Sequence, residues 1–178
     1  MSKKNGHLKL DLACGNSKKE GFLGVDIAKL PTVDKVCNLK KFPWPWKKES
    51  VEEIFSSHFF EHLKGQERIK FMEEAHRILK PGSKMTIVVP YYASMRAIQD
   101  PTHEWPPVCE ASFLYFNRAW MAQNKLEHYG IKCNFDFSYC YNMAPEWASR
   151  HIEAQGAAIK NYINIVSDIQ VVLTKQPL

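Results

Sequence analysis

The feature that most constrains the fold is a rhythm of seven short apolar runs, at Leu8–Ala13, Phe22–Ile27, Lys35–Cys37, Val51–Ser56, Met85–Pro90, Asn134–Cys140 and Ile169–Thr174. Each suits a strand, and polar or helix-period segments separate most of them. That alternation describes an α/β chain with a mostly parallel sheet, because parallel strands need crossover connections that are usually helical. The spacing predicts a helix over Gln66–Leu79, where Ile69, Met72, Ala75, Ile78 and Leu79 fall on one face. Lys80-Pro81-Gly82 is expected to stop it, since proline removes a donor and glycine permits the turn. A second helix is expected over Glu110–Tyr129, with Phe113, Leu114, Trp120, Met121 and Leu126 inward and Gly130 past its end. A third is expected over Glu146–Lys160, before the final strand. The 178 residues, 45% of them hydrophobic and 24% charged, are expected to fold as one domain over 1–178.

One interval breaks the rhythm. Only eight residues separate Ala13 from Phe22, and they include Gly15, Asn16 and Gly21. A parallel crossover takes about a dozen residues. The first connection is therefore expected to be a loop or a single turn, with little helix dipole to offer a phosphate. A nicotinamide-dependent oxidoreductase is disfavoured on that ground and by the lack of a GxGxxG run.

Composition removes other classes. No apolar run approaches the roughly 20 residues of a membrane span. The first residues lead into a strand-like run without a signal-peptide core, so a cytoplasmic location is expected. The five cysteines are scattered and never form CxxC, which suits a reducing compartment and argues against a zinc site or a disulfide framework. No metal is expected. The net charge of +5 sits on short lysine pairs such as Lys18-Lys19, Lys40-Lys41 and Lys47-Lys48, which read as a solvated face. Nucleic acid is a disfavoured partner, and the oligomeric state is open.

The chemistry-bearing residues gather at strand ends. Asp11-Leu12-Ala13-Cys14-Gly15 closes the first strand, and Gly24-Val25-Asp26-Ile27 closes the second. A strand-end glycine lets backbone approach a ligand, and a neighbouring acid can accept both hydroxyls of a ribose. Further on come the run Ser50–Leu63 (SVEEIFSSHFFEHL), then Arg77–Gly82 (RILKPG), then Asp100-Pro101-Thr102-His103.

In this order these stretches resemble the class I S-adenosylmethionine-dependent methyltransferases, and most of all a small type-11-like subgroup with a shortened first crossover. The resemblance covers roughly residues 8 to 104. It implies a Rossmann-like sheet with a C-terminal antiparallel strand, helices on both faces, and S-adenosylmethionine as cofactor. It places Asp11, Ala13, Cys14 and Gly15 along the methionine part, Asp26 at the ribose with Ile27 beside it, and Asn38 and Leu39 at the adenine. Ser57 and His58 would line the cofactor near the sulfonium. Ala13 stands where the usual motif has its first glycine, Asn16-Ser17 replaces the third, and Asn38 replaces an acid. An asparagine carbonyl can still receive the adenine amino group.

His58, Glu61 and His62 would share a face of a helix starting near His58. The HxxEH pattern resembles the inverted zinc-protease motif too, but the strand before it explains the segment better. In the Asp100–Pro107 loop, a proline-stiffened segment carries Asp, His, Glu and Trp where this fold covers its substrate, and Asp100 is suited to cap the residues after it. Ser57-His58-Phe59-Phe60 stands where base-methylating enzymes carry an (N/D/S)PP(Y/F) element, which lowers the nucleic-acid reading. The expected function is methyl transfer to an oxygen or nitrogen of a small-molecule acceptor, with His103, His62 and Asp100 as the candidate catalytic groups. The alternative is a non-catalytic protein that keeps the fold and binds the cofactor or a partner.

Overall fold

The structure, a computed structural model, describes residues 7–178. All seven expected strands form: β1 (Lys9–Leu12), β2 (Leu23–Asp26), β3 (Lys35–Val36), β4 (Val51–Ser57), β5 (Leu79–Pro90), β6 (Phe135–Met143) and β7 (Val166–Lys175). They join in one sheet of order β3-β2-β1-β4-β5-β7-β6. The strands β1 to β5 pair in parallel, while β7 runs antiparallel to both β5 and β6. The central strands are apolar because both faces are covered. Leu10, Leu12, Val25, Ile54, Met85, Ile87 and Val89 are fully buried.

The helix α1 (Gly65–Ile78) matches the expected span to within a residue, and Phe71, Met72, Ala75 and Ile78 bury its inner face. Phe71 is a hub of that core, with the rings of Trp44, Phe60 and Phe59 at 5.2, 5.8 and 5.9 Å. Complete burial of one such side chain stabilises the fold by about 1.5–3 kcal/mol.

Three expectations need correction. The helix α1 ends before Lys80-Pro81-Gly82 as expected, but these residues form no separate turn: Leu79 goes directly to extended backbone and β5 begins there. The proline and glycine are absorbed in a bulge, where Leu79 pairs Val51 but Lys84 already pairs Glu53, and Gly82 takes φ +72°. The helix expected over Glu110–Tyr129 is three pieces: a 3-10 segment (Glu110–Phe116), α3 (Arg118–Gln123) and a 3-10 turn (Glu127–Tyr129). Asn117 breaks it, because its side chain accepts from the Trp120 amide at 2.9 Å and donates to Phe135 O at 3.0 Å. The helix expected over Glu146–Lys160 is split into α4 (Pro145–Ala148) and α5 (Ile152–Asn161). Gln155 reaches back to the Ala148 and Arg150 carbonyls at the break. A short α2 (Met95–Ile98), capped by Ser94, was not anticipated. The β1–β2 connection contains no helix, as its length requires.

Candidate active site

The strand β1 lies between β2 and β4, so successive connections leave it in opposite directions. Such a reversal opens a crevice outside the carboxyl ends of the strands. There a cleft of about 190 Å³ is lined by Ala13, Asp26, Ile27, Cys37, Asn38, Leu39, Lys40 and Phe59. Five of these are residues the sequence assigns to the cofactor. Cys37, Lys40 and Phe59 are additions, of which only Phe59, an aromatic just past a strand end, carried a usable signal.

Side chains pin the loop that replaces the first crossover helix. The Asp26 carboxylate accepts from the Gly15 amide and the Ala28 amide, both at 2.9 Å. Buried Asp11 accepts from the Lys19 amide at 2.7 Å, and its burial raises its pKa against the opposing pull of that amide and the lysines. Thr32 donates its hydroxyl to Gly15 O at 2.5 Å. Asp34 accepts from the Gly24 amide at 2.7 Å and from Lys18 Nζ at 2.9 Å, and the Lys18 bond holds its carboxyl below the ordinary range. A Cβ on Gly24 would meet Thr32 O at 2.5 Å and Cys14 Sγ at 2.9 Å. Asp11, Cys14 and Gly15 thus shape the cleft from behind, and burial pushes the Cys14 thiol up, away from the reactive thiolate. Asn38 Oδ1 accepts from the Lys40 amide at 2.9 Å, which fixes the amide at the cleft wall and leaves one lone pair for a ligand.

A second group of polar side chains adjoins the cleft. Beyond β4 the chain takes φ +54° at His58 and then a 3-10 turn, Phe60–His62, in place of the longer helix expected to start at His58. His58 and Glu61 still meet, Nδ1 to Oε1 at 3.3 Å, and this contact raises the His58 pKa against the effect of its burial. Ser57, the last residue of β4, pairs Val88. His62 Nδ1 lies 3.0 Å from Thr102 Oγ1 and 3.2 Å from Thr102 O. Asp100 caps its own loop as expected, accepting from the Thr102 amide at 2.8 Å and the Thr102 hydroxyl at 2.7 Å, and these bonds lower its pKa. His103 Nδ1 is 3.0 Å from Ala97 O, its Nε2 is 3.7 Å from Asp100 Oδ2, and its ring centroid is 4.8 Å from that of His62. The three candidate catalytic residues therefore stand together. Lys40, which lines the cleft, donates to His62 O at 3.0 Å and ties the two groups.

Arg68 anchors this loop from below, a role the sequence did not suggest. Its guanidinium donates to the carbonyls of Phe60, Pro106, Glu61 and Glu104 at 3.2, 2.6, 3.3 and 3.0 Å. Tyr91 is buried between the rings of Tyr92 and Tyr141, with its hydroxyl pKa pushed up by burial, and only Tyr92 is exposed. A larger hollow of about 770 Å³ lies at the opposite end of the sheet, among His76, Arg77, Lys175 and Gln176, and shares no residue with the cleft.

A family model described as a methyltransferase domain matches residues 10–87. No curated protein matches the sequence. Among solved structures, an S-adenosylmethionine-dependent methyltransferase from Archaeoglobus fulgidus is 18% identical, with a TM-score of 0.66 over 96% of this chain and 87% of its own. The YcgJ protein from Bacillus subtilis is 13% identical, with a TM-score of 0.57 over 98% and 94%. Phosphoethanolamine N-methyltransferase 2 from Haemonchus contortus, in complex with S-adenosyl-L-methionine, is 15% identical with a TM-score of 0.51, over 97% of this chain and 49% of that one. The matched residues hold nearly all of β1, all of β2 and the cleft-lining segments, and the whole seven-stranded sheet shares its fold with these solved methyltransferase structures.

Proposed function

We propose that the chain binds S-adenosylmethionine in the cleft between β1, β2 and β3 and moves its methyl group to an oxygen or nitrogen of a small-molecule acceptor. The observation that carries this reading is the Asp26 carboxylate at the cleft wall, oriented by the Gly15 and Ala28 amides, with Asn38 and Leu39 closing the far side. The donor set fits the cofactor. A carboxylate suits the ribose hydroxyls, Ile27 and Leu39 offer apolar surface to a purine, and the Asn38 amide can pair with its edge. The missing Cβ at Gly24 keeps the loop tight behind them.

When bound, S-adenosylmethionine supplies an electrophilic methyl group. The protein then has to hold an acceptor in line with it and exclude water. Ser57 and His58, at the end of β4, border that space in this reading, and the Asp100–Pro107 loop, held down by Arg68, covers it. His62 and His103 donate through Nδ1 to backbone carbonyls, so each neutral ring carries a lone pair on Nε2 that can take the acceptor's proton. Asp100 orients His62 through Thr102 and lies 3.7 Å from His103 Nε2. The phosphoethanolamine N-methyltransferase among the structural neighbours makes a small acceptor a natural choice.

Titration calorimetry of the full chain tests the reading. S-adenosylmethionine and its demethylated product are expected to bind one per chain, and NAD is expected not to bind. No heat from the first two at millimolar ligand overturns the assignment. Binding without methyl transfer to any of a broad panel of small acceptors favours the non-catalytic alternative.

A further inference from the structure

Among the described residues, Glu61 is the one whose two carboxylate oxygens are both buried without a hydrogen-bond partner. It is 5% exposed. His58 approaches one of them at 3.3 Å without hydrogen-bond geometry. A buried carboxylate without donors carries a large desolvation penalty, which a cation can offset.

Two imidazoles stand next to it in a defined protonation pattern. Ala97 O can only accept, so His103 Nδ1 must be the protonated nitrogen. Thr102 O likewise can only accept, and the Thr102 hydroxyl already donates to Asp100, so His62 Nδ1 carries its proton too. In its neutral form each ring therefore carries its lone pair on Nε2. A backbone carbonyl on Nδ1 that leaves Nε2 free is the arrangement that orients histidine metal ligands. One ligand atom from each of Glu61, His62 and His103 can be chosen so that all lie within 4.8 Å of one another. A tetrahedral ion with bonds of about 2.1 Å would draw them to about 3.4 Å apart, a shift of roughly 1 Å at the side-chain ends.

We propose that Glu61, His62 and His103 bind one divalent transition-metal ion, zinc by preference, through the Glu61 carboxylate and the two Nε2 atoms. Two imidazoles and a carboxylate form a borderline-soft donor set that suits zinc and disfavours magnesium or calcium. Three protein ligands leave a coordination position open. Asp100 Oδ2, 3.7 Å from His103 Nε2, stands near enough to hold a water there. The site stands on this geometry alone. That its open position faces the acceptor rests on the methyl-transfer reading; there, an ion would lower the acceptor's pKa and take over the role of a histidine base.

The test uses the full chain stripped of metal by chelation and titrated with Co²⁺, followed by visible absorption, with Zn²⁺ as competitor and no S-adenosylmethionine present. One Co²⁺ per chain is expected, displaced by Zn²⁺, with affinity falling at least ~100-fold in Glu61→Gln, His62→Asn and His103→Asn. If a variant does not fold, the wild-type chain still decides the matter. Bound Co²⁺ should broaden the ring resonances of His62 and His103 in the NMR spectrum and spare those of His76. No stoichiometric binding, or binding that both histidine variants retain, or broadening that misses His62 and His103, overturns the proposal. Failure of S-adenosylmethionine binding with Co²⁺ binding intact would sink only the methyl-transfer reading.

Discussion

Gly24 shows how little slack the cleft has. In Gly24→Ala the new methyl would lie 2.5 Å from the Thr32 carbonyl, which is backbone, and 2.7 Å from Lys18 Cδ, which can swing aside. The expected outcome is a loss of about 1–3 kcal/mol in a denaturant titration and weaker S-adenosylmethionine binding, because the strained loop carries Gly15 and Asp26. Asp26→Ala removes the acceptor of two amides together with the carboxylate proposed to hold the ribose. Calorimetry is expected to show at least ~10-fold weaker binding, with Asp26→Asn losing less because its carbonyl still accepts. Asp26 and Asn38, which line the cleft, were legible only through the ordered motifs and the resemblance they carry, since a strand-end aspartate is common by itself. Thr32 and Asp34 were not, since their partners Gly15 and Gly24 lie 17 and 10 residues away and nothing local marks the pairing.

Among the elements, the loop Asp100–Pro107 depends on one side chain of α1. Arg68→Met would take a donor from four carbonyls, two of them in this loop. A destabilisation of about 3 kcal/mol or more is expected, together with faster hydrogen exchange at the Glu104 amide, which now bonds Glu61 O at 2.9 Å. Arg68→Lys should recover little, because an ammonium cannot reproduce the planar fork. The same dependence on distant partners explains why the helical period misled over Glu110–Tyr129. Its apolar spacing was right, and Phe113 and Met121 are buried, but Asn117 spends its side chain on Phe135 and Asp136 in β6. No window of local sequence contains that competition.

At the scale of the molecule, His76 couples folding to pH. It lies buried at the end of α1, 2.9 Å from Gln176 O and against the Phe135 ring, and burial lowers its pKa from the ordinary 6.5. Below that value the unfolded chain takes up a proton that the folded chain refuses, so stability falls as pH drops and is unaffected well above it. His58 contributes in the opposite sense, its raised pKa favouring the folded state in acid. Comparison with His76→Gln cancels His58, and the variant is expected to gain on the wild type only as pH falls below about 6.5, read as the difference in urea midpoints. Phe71→Ala, by contrast, should cost about 3–5 kcal/mol at any pH, since the cavity opens among Trp44, Phe59 and Phe60. The α/β class with a mostly parallel sheet was readable because seven apolar runs are separated largely by helix-period segments. The strand order 3-2-1-4-5-7-6 was not, because the insertion of β7 between β5 and β6 is decided by packing between segments distant in the chain, with Pro90 pairing Asp168 and Lys84 pairing Thr174.

The short first connection also has a kinetic meaning. A loop already fastened by Asp11, Asp26, Thr32 and Asp34 has little left to order when a ligand arrives. Mixing the chain rapidly with S-adenosylmethionine should give a single phase whose rate rises linearly with ligand concentration, with no slower step behind it. Cutting the Thr32 fastening, as in Thr32→Val, should introduce that slower step, since the walls would then have to settle after the encounter.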